Sequence, residues 1–316
     1  MSRNEFSLIT HYFSRAVKAD SGVDLAVGDD GALLSVPQGE QLVVSTDSLV
    51  AGTHFLVDAN PVWVGHKALA SNISDIVAMG ATPRWVSLAL TLPSVDEQWL
   101  TLFCEGFFAL IERYNLTLVG GDTTQGPLSI TVTIHGTVPN GKAWLRSGAQ
   151  VGDDIYISAP LGESQAGLDY ILDPDRRSDD KEYLIAQHFC RWPRAELVEQ
   201  LRGKVNSALD ISDGLVADLG HILTASSVGA ELDINLLPLT GPLLRHSANN
   251  QELACRTALS SGEEYALCFT APAMADLSAA QVYKIGRIND KAGQLTLLQE
   301  GIALNWSLDG YDHFGA

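Results

Sequence analysis

Five short acidic segments of the chain each follow an apolar run. They read LAVGDDGALL (25–34), VVSTDSLVAGTHF (43–55), SNISDIVAMGA (71–81), LTLVGGDTTQG (116–126) and SALDISDGLVADL (207–219). In each, an Asp stands where a strand-like or helix-like stretch meets a turn rich in Gly, Ser or Thr. Such junctions leave backbone amides and side chains available to a ligand. A single loop aspartate reads most simply as a cap or turn residue. Five recurrences of the same composition point instead to hard oxygen donors assembled for divalent cations and phosphate.

Each segment carries its own alternatives. Asp29 and Asp30 are neighbours on an extended stretch, so their side chains diverge and one of them faces a site. Asp30 is the candidate, against a plain Asp30-Gly31 turn. Ser45, Thr46 and Asp47 offer consecutive oxygen ligands of the kind Mg²⁺ accepts, and Asp47 can bridge two ions. His54 reads either as a hydrogen-bonding partner of a substrate or as a structural residue. Asp75 lies near the end of a helical pattern beside Ile73, Ile76 and Val77, where an unpaired carboxylate is costly to bury. It is therefore solvated or holding a cation. Lys67, two helical turns earlier, is a phosphate contact or, more simply, a solvated lysine. Gly120 and Gly121 let the backbone approach a ligand closely, with Asp122 as metal ligand and Thr123 and Thr124 as nearby hydroxyls. A hairpin turn uses the same residues. Asp210 and Ser212 share a face if their stretch is extended, while Asp213 is either a metal ligand or the cap of the following helix.

What is missing narrows the chemistry. The chain has no G-x-x-x-x-G-K-[ST] loop, no H-R-D loop, no G-x-S-x-G elbow and no H-E-x-x-H. Cys104, Cys190, Cys255 and Cys268 are scattered, which reads as reduced core thiols and disfavours zinc. With 20 Lys and Arg against 38 Asp and Glu, the formal net charge is −18, which repels nucleic acid and anionic membranes. A phosphate substrate would therefore need divalent cations between it and the aspartates. The first 20 residues are broken by Arg3, Glu5, His11 and Arg15 and do not read as a secretory signal. No apolar run approaches the roughly 18 residues of a membrane span, so a cytoplasmic enzyme is expected.

The elements that must position these residues follow an α/β (α+β) rhythm. Strands are predicted at 41–46, 85–92, 116–121 and 128–138, with helices at 61–79 and 96–115 between them. A turn-rich stretch at 139–152 reads as a junction, giving domains 1–142 and 143–316. The second begins with a strand at 154–162. Helices at 181–202 and 213–226 follow, then strands near 230–234, 265–270 and 282–288.

Taken together, these segments resemble the thiamine-monophosphate kinases of the aminoimidazole ribonucleotide synthetase-like superfamily. The resemblance rests on GDD-x-A, STD…GTHF, the Asp75 helix, VGGDTT, LR-x-GA-x-x-GD (145–153), D-I-SDGL and the closing GYDHF (310–314). It implies transfer of the ATP γ-phosphoryl group to thiamine monophosphate, assisted by several Mg²⁺ ions. It also implies a two-domain fold whose N-terminal sheet domain forms a dimer barrel and whose C-terminal α/β domain completes the nucleotide and substrate cleft. By position, metal binding falls on Asp30, Ser45, Thr46, Asp47, Asp75, Asp122, Asp210 and Asp213. ATP contacts fall on Gly121, Asp122, Arg146 and Ser212, and substrate contacts on His54, Glu263 and Tyr311. Where the family has Gly-Glu-Asp this chain has Gly262-Glu263-Glu264, which leaves open which glutamate meets the substrate.

Rival readings are aminoimidazole ribonucleotide synthetase, selenophosphate synthetase, the hydrogenase-maturation carbamoyl dehydratase, or a non-catalytic nucleotide- and metal-binding module. Selenophosphate synthesis needs a reactive Cys in an N-terminal glycine-rich loop, whereas Cys104 falls in a helical pattern. The maturation protein ends in a reactive Cys, whereas this chain ends HFGA.

Overall fold

A computed structural model describes residues 5–15, 17, 18, 20–308 and 311. The chain divides into two compact units, one of Met1–Ile76 with Ala81–Gly141 and one of Val77–Gly80 with Lys142–Ala316. The first opens with a short helix α1 (Glu5–Leu8), a π-helical turn (Ile9–Phe13) and a small antiparallel pair, β1 (Val23–Leu25) and β2 (Leu33–Leu34).

Its main sheet has four strands: β3 (Glu40–Val50), β4 (Thr82–Leu92), β5 (Thr117–Gln125) and β6 (Ser129–Pro139). Their order is β3-β6-β4-β5, antiparallel except for the β4–β5 pair. Period-two alternation sets the two faces. Val86, Leu88, Leu90, Ile130, Val132 and Ile134 are buried on one face, while Leu42, Val44, Thr46, Ser48 and Val50 are exposed on the other.

Helix α2 (Pro61–Ala78) packs on the buried face, where a Cβ at Gly136 would meet Ile76. Asn60 starts α2 by accepting the Val62 N–H, and Asp96 starts α3 (Glu97–Arg113) by accepting those of Gln98 and Trp99. The two helices touch backbone to backbone. A Cβ on Gly106 would stand 1.8 Å from the Val62 carbonyl oxygen, and one on Gly65 would stand 2.2 Å from that of Phe103. Only hydrogen fits at either position. The stacked rings of Trp99, Phe103 and Phe107 extend the α3 core along the helix.

The second unit is built on a seven-stranded mixed sheet. Its strands are β7 (Asp154–Ile157), β8 (Ser207–Asp210), β9 (Gly229–Asp233), β10 (Leu267–Ala271), β11 (Tyr283–Asn289), β12 (Leu295–Gln299) and β13 (Ile302–Ala303). They run in the order β13-β12-β9-β11-β7-β10-β8. The helices are α4 (Glu163–Leu172), α5 (Lys181–Phe189), α6 (Leu197–Gln200), α7 (Leu215–Ser226), α8 (Gly241–His246) and α9 (Gln251–Ser260). The helix expected over 181–202 is interrupted at 190–196, where Pro193 cannot donate to a helical ladder. Helices α4, α8 and α9 were not legible from periodicity. Each spans at most ten residues, and α9 is announced only by its Asn250 cap, which accepts the Leu253 N–H.

The four cysteines are unpaired thiols. Burial pushes Cys104 up to about 12 and Cys190 up to about 11, which keeps both as inert thiols near neutrality. No helix among the described residues is long and apolar enough to cross a membrane.

The helix crossing gives a direct test. Gly106→Ala forces α2 and α3 apart and is expected to cost about 3 kcal/mol or more, read as a fall in Tm. Gly220→Ala in α7, where an added Cβ meets nothing within 4 Å, is the control. It is expected to be neutral or to stabilise by about 0.5–1 kcal/mol. Equal melting temperatures for the two variants would refute the close-contact account.

Candidate active site

In the first unit a stripe of polar residues crosses the otherwise apolar seam between α2 and β3. Lys67, Ser71 and Asp75 recur every four residues and so share one side of the helix. Their partners run the opposite way along β3 and the loop beyond it. The Ser45 hydroxyl donates to Asp75 Oδ2 at 2.5 Å, Ser71 hydrogen-bonds Asp47, and Lys67 Nζ donates to the His54 carbonyl at 3.2 Å. Burial raises the Asp47 carboxyl above the ordinary range, opposed by the Ser71 bond and the charge of His54. Lys67 has 0% exposure, so its reading as a solvated lysine does not hold. His54 Nδ1 accepts the Val50 N–H at 3.0 Å, which leaves the ring proton of the neutral form on Nε2.

Asp122 is placed differently. The VGGD segment is not a turn but the interior of β5, interrupted by a register shift. Leu118 pairs with Val86, yet Gly120 pairs with Ser87, so Val119 is an extra residue. Without that bulge Asp122 would fall opposite Leu90 on the buried face. With it, Asp122 lies opposite Ala89 on the open one. Asp122 and Thr46 are thus on the face away from Asp47, Ser45 and Asp75. Gly121 is obligatory: its φ is +153° and a Cβ would stand 1.8 Å from the Leu88 carbonyl oxygen. In the GDD segment the Asp29 carboxylate accepts the Asp30 N–H at 2.9 Å, so Asp29 serves its own turn; both residues are exposed.

In the second unit the candidates gather where β8 hands over to α7. Asp210 ends β8. Asp218, one turn into α7, accepts the N–H groups of Ser212 (3.0 Å), Asp213 (3.0 Å) and Gly214 (3.2 Å) on a single oxygen. Burial pushes its carboxyl up to about 6 despite those donors. The cap position of α7 is Gly214, so Asp213 does not cap the helix. The outward carbonyls of the same turn collect two further segments. Ser212 accepts from the Glu263 N–H (2.7 Å), Ile211 from that of Tyr265 (2.9 Å) and Asp213 from that of Tyr311 (3.1 Å).

Glu263 and Tyr265 both hold left-handed backbone, φ +54° and +50°, a conformation costly for residues with a side chain. The two glutamates of this loop divide their work. Glu264 is buried. It accepts the Gly162 and Ser164 N–H groups at the start of α4 together with the Ser261 hydroxyl, and it pairs with Arg191. Glu263 is partly exposed, 3.4 Å from His188 Nε2. Of the two, Glu263 is the one that keeps exposed surface. Arg146 is not in this group: its carbonyl accepts from Ser226 at the far end of α7, about 18 Å along a twelve-residue helix. Asp218 escaped the sequence reading because no residue type marks a backbone-binding carboxylate. Its spacing of four from Gly214 is the only trace.

Two family models describe the chain. Residues 28–138 match the N-terminal domain of AIR synthase related proteins and residues 150–297 match the C-terminal domain. Over 326 aligned residues, covering 99% of both chains, the sequence is 46% identical to the thiamine-monophosphate kinase of Escherichia coli (strain K12). The chain belongs to the thiamine-monophosphate kinase family. A solved thiamine-monophosphate kinase from Stenotrophomonas maltophilia K279a matches at TM-score 0.82 and 39% identity, over 90% of this chain and 93% of that one. The structure of AaThiL complexed with AMPPCP and TMP matches at TM-score 0.80 and 31% identity, over 92% of each. The two-domain architecture of this family is thus the fold of the chain.

Among the described residues no three His, Cys, Asp or Glu side chains form a ready metal nest. The donor chemistry nevertheless fits a hard dication. Within the stripe Asp47 and Asp75 meet the neutral hydroxyls of Ser71 and Ser45, and burial already disfavours the charged form of Asp47.

The amide cluster at Asp218 is the anchor of the second group. Asp218→Ala leaves three N–H groups without their acceptor and is expected to lower stability by about 2–3 kcal/mol. Thermal melting and amide exchange at residues 212–214 check this. Unchanged exchange there would show that the turn holds its shape by other means.

Proposed function

We propose that the chain transfers the γ-phosphoryl group of ATP to thiamine monophosphate, giving thiamine diphosphate and ADP. The observation that carries this reading is the 46% identity to a thiamine-monophosphate kinase over 99% of both chains. The likeness to AaThiL complexed with AMPPCP and TMP supports ATP as co-substrate and TMP as acceptor.

The roles follow from the chemistry of the residues. The oxygen donors for Mg²⁺ fall into separate sets: Ser45, Asp47 and Asp75 on the buried face of the first sheet, Thr46 and Asp122 on its open face, and Asp30, Asp210 and Asp213 at their own turns. Bound Mg²⁺ supplies charge neutralisation between the two phosphates, whose repulsion at short range is the main obstacle to their meeting. Gly121 lets the β5 backbone approach the nucleotide, Ser212 contacts its phosphates, and Asp122 serves metal and nucleotide together, while Arg146, held at the far end of α7, is left out of the phosphate contacts. His54 donates from Nε2 to the acceptor phosphate. Glu263 and the ring of Tyr311 hold the thiamine moiety, an aromatic face being suited to a flat cation.

The acceptor phosphate oxygen is already anionic, so the chain needs no general base, and transfer is direct and in line. Residues 1–142 serve metal, ATP and dimerisation, and residues 143–316 serve nucleotide and substrate. A homodimer through the four-stranded sheet is supported by its open face, where Leu42 and Val44 are 45% and 53% exposed. A cytoplasmic location accords with the unpaired thiols.

Incubation with ATP, Mg²⁺ and thiamine monophosphate is expected to yield ADP and thiamine diphosphate. EDTA is expected to abolish turnover and added Mg²⁺ to restore it; undiminished activity in chelator would remove the metal from the scheme.

Tyr311 supplies the second test. The ring is exposed, and the residue's N–H is fixed to the Asp213 carbonyl. Loss of a cation–π contact is worth about 0.5–2 kcal/mol. Tyr311→Ala is therefore expected to raise KM for thiamine monophosphate several-fold, leaving KM for ATP and Tm nearly unchanged. An unchanged KM for thiamine monophosphate takes Tyr311 out of the site.

A further inference from the structure

Lys67 is among the largest wholly buried side chains of the molecule, in a helix whose neighbouring positions are filled by Ala68, Leu69 and Ile73. Packing alone would be served by Leu or Met at that position. Removing an ammonium from water costs several kcal/mol unless its bonds compensate. What the lysine adds to a hydrocarbon of the same length is a charged donor group, and one of its bonds runs to the His54 carbonyl, 3.2 Å away.

Lys67 thereby joins two other bonds that hold His54. Its N–H donates to the Val50 carbonyl at 2.9 Å, its Nδ1 accepts the Val50 N–H at 3.0 Å, and its carbonyl accepts from Lys67. Val50 is the last residue of β3, and the loop returns at once through the 2.7 Å bond from the Gly52 N–H to the Phe55 carbonyl. Two of the three contacts come from β3 and one from α2. Together they fix the loop, the ring orientation and, through the accepting Nδ1, the Nε2–H form of the neutral imidazole.

We propose that Lys67 is a positioning residue that holds the His54 loop and through it the Val50–Nδ1 bond that sets the ring's orientation and tautomer, so that Nε2–H is presented to the anionic group of the phosphate substrate. The second half of this statement rests on the reading of His54 as a substrate contact, and the first half does not. The ammonium lies beneath the loop and acts through it, rather than on the substrate.

The experiment separates the two halves. In a long-range ¹H–¹⁵N spectrum of the full-length protein, His54 (assigned by its loss in His54→Gln) is expected to show the Nε2–H tautomer. Lys67→Met is expected to convert it to a mixture. An Nδ1–H tautomer in the wild type overturns the proposal whether or not Lys67→Met folds, and an identical His54 signal in wild type and Lys67→Met overturns it equally.

Kinetics test the substrate half. Lys67→Met is expected to raise KM for thiamine monophosphate about tenfold, the scale on which loss of an orienting outer partner is felt, with KM for ATP within about twofold. The double variant Lys67→Met/His54→Gln is expected to be no worse than His54→Gln alone. Additive losses would mean that Lys67 acts by another route and would overturn the proposal. A lost tautomer with an unchanged KM in His54→Gln would sink the substrate reading and leave the positioning role standing.

Discussion

The arrangement of the first unit depends on one constraint: carboxylates placed on the buried side of a sheet must be matched by something polar. Asp47 projects from β3 toward α2, into a seam that elsewhere holds Val, Leu and Ile. An unmatched carboxylate there would cost more than the seam's packing could tolerate. The helix answers with Lys67, Ser71 and Asp75 at one side, in register with His54, Asp47 and Ser45. The hydroxyls of Ser45 and Ser71 meet two of these carboxylates, and the cationic Lys67 lies in the same stripe. Burial leaves the Asp47 carboxyl raised in spite of the Ser71 bond.

The second unit solves a related problem with backbone instead of side chains. At the β8–α7 turn, Asp218 draws three consecutive amides inward, so the carbonyls of Ile211, Ser212 and Asp213 face outward and pin the loops at 263–265 and 311. Two residues of those loops accept left-handed backbone in the process. Strain of that kind persists only where surrounding bonds over-determine it. Here the buried Glu264, fixed to the start of α4 and to Arg191, supplies the opposing hold.

Much of this was legible in the residues, and the reasons are physical. Period-two and period-3.6 patterns are strong where one face of an element is buried, which is why β3 to β6, α2 and α3 could be read directly. The stacking of Asp, Ser and Gly at element ends flagged the segments that carry oxygen donors. What could not be read was which way a side chain faces. That is decided by pairing register, and the register of β5 is set by a single extra residue at Val119 that composition does not reveal. Lys67 misled for a similar reason: lysine is usually solvated, and only the tertiary register of α2 on β3 makes it a core residue. Short capped helices such as α9 failed because ten residues give too few turns for periodicity to show.

The charge distribution completes the argument about cations. A chain with 38 acidic and 20 basic residues has few positive groups to offer a phosphate, and the second unit commits many of its own to structure. Arg191 is bound to Glu264 and Glu163, Arg176 to Asp169, Arg245 to Asp180, Arg202 to Glu199 and Arg256 to Glu252. The exposed pairs among these contribute little stability individually, yet each guanidinium so engaged is oriented toward a carboxylate of its own chain. Lys67, in the first unit, is engaged below a loop. Basic side chains alone therefore make a poor phosphate cradle here. In the proposed function this is why the carboxylates at the element ends are assigned to divalent ions, which bring more charge per site than any lysine or arginine could.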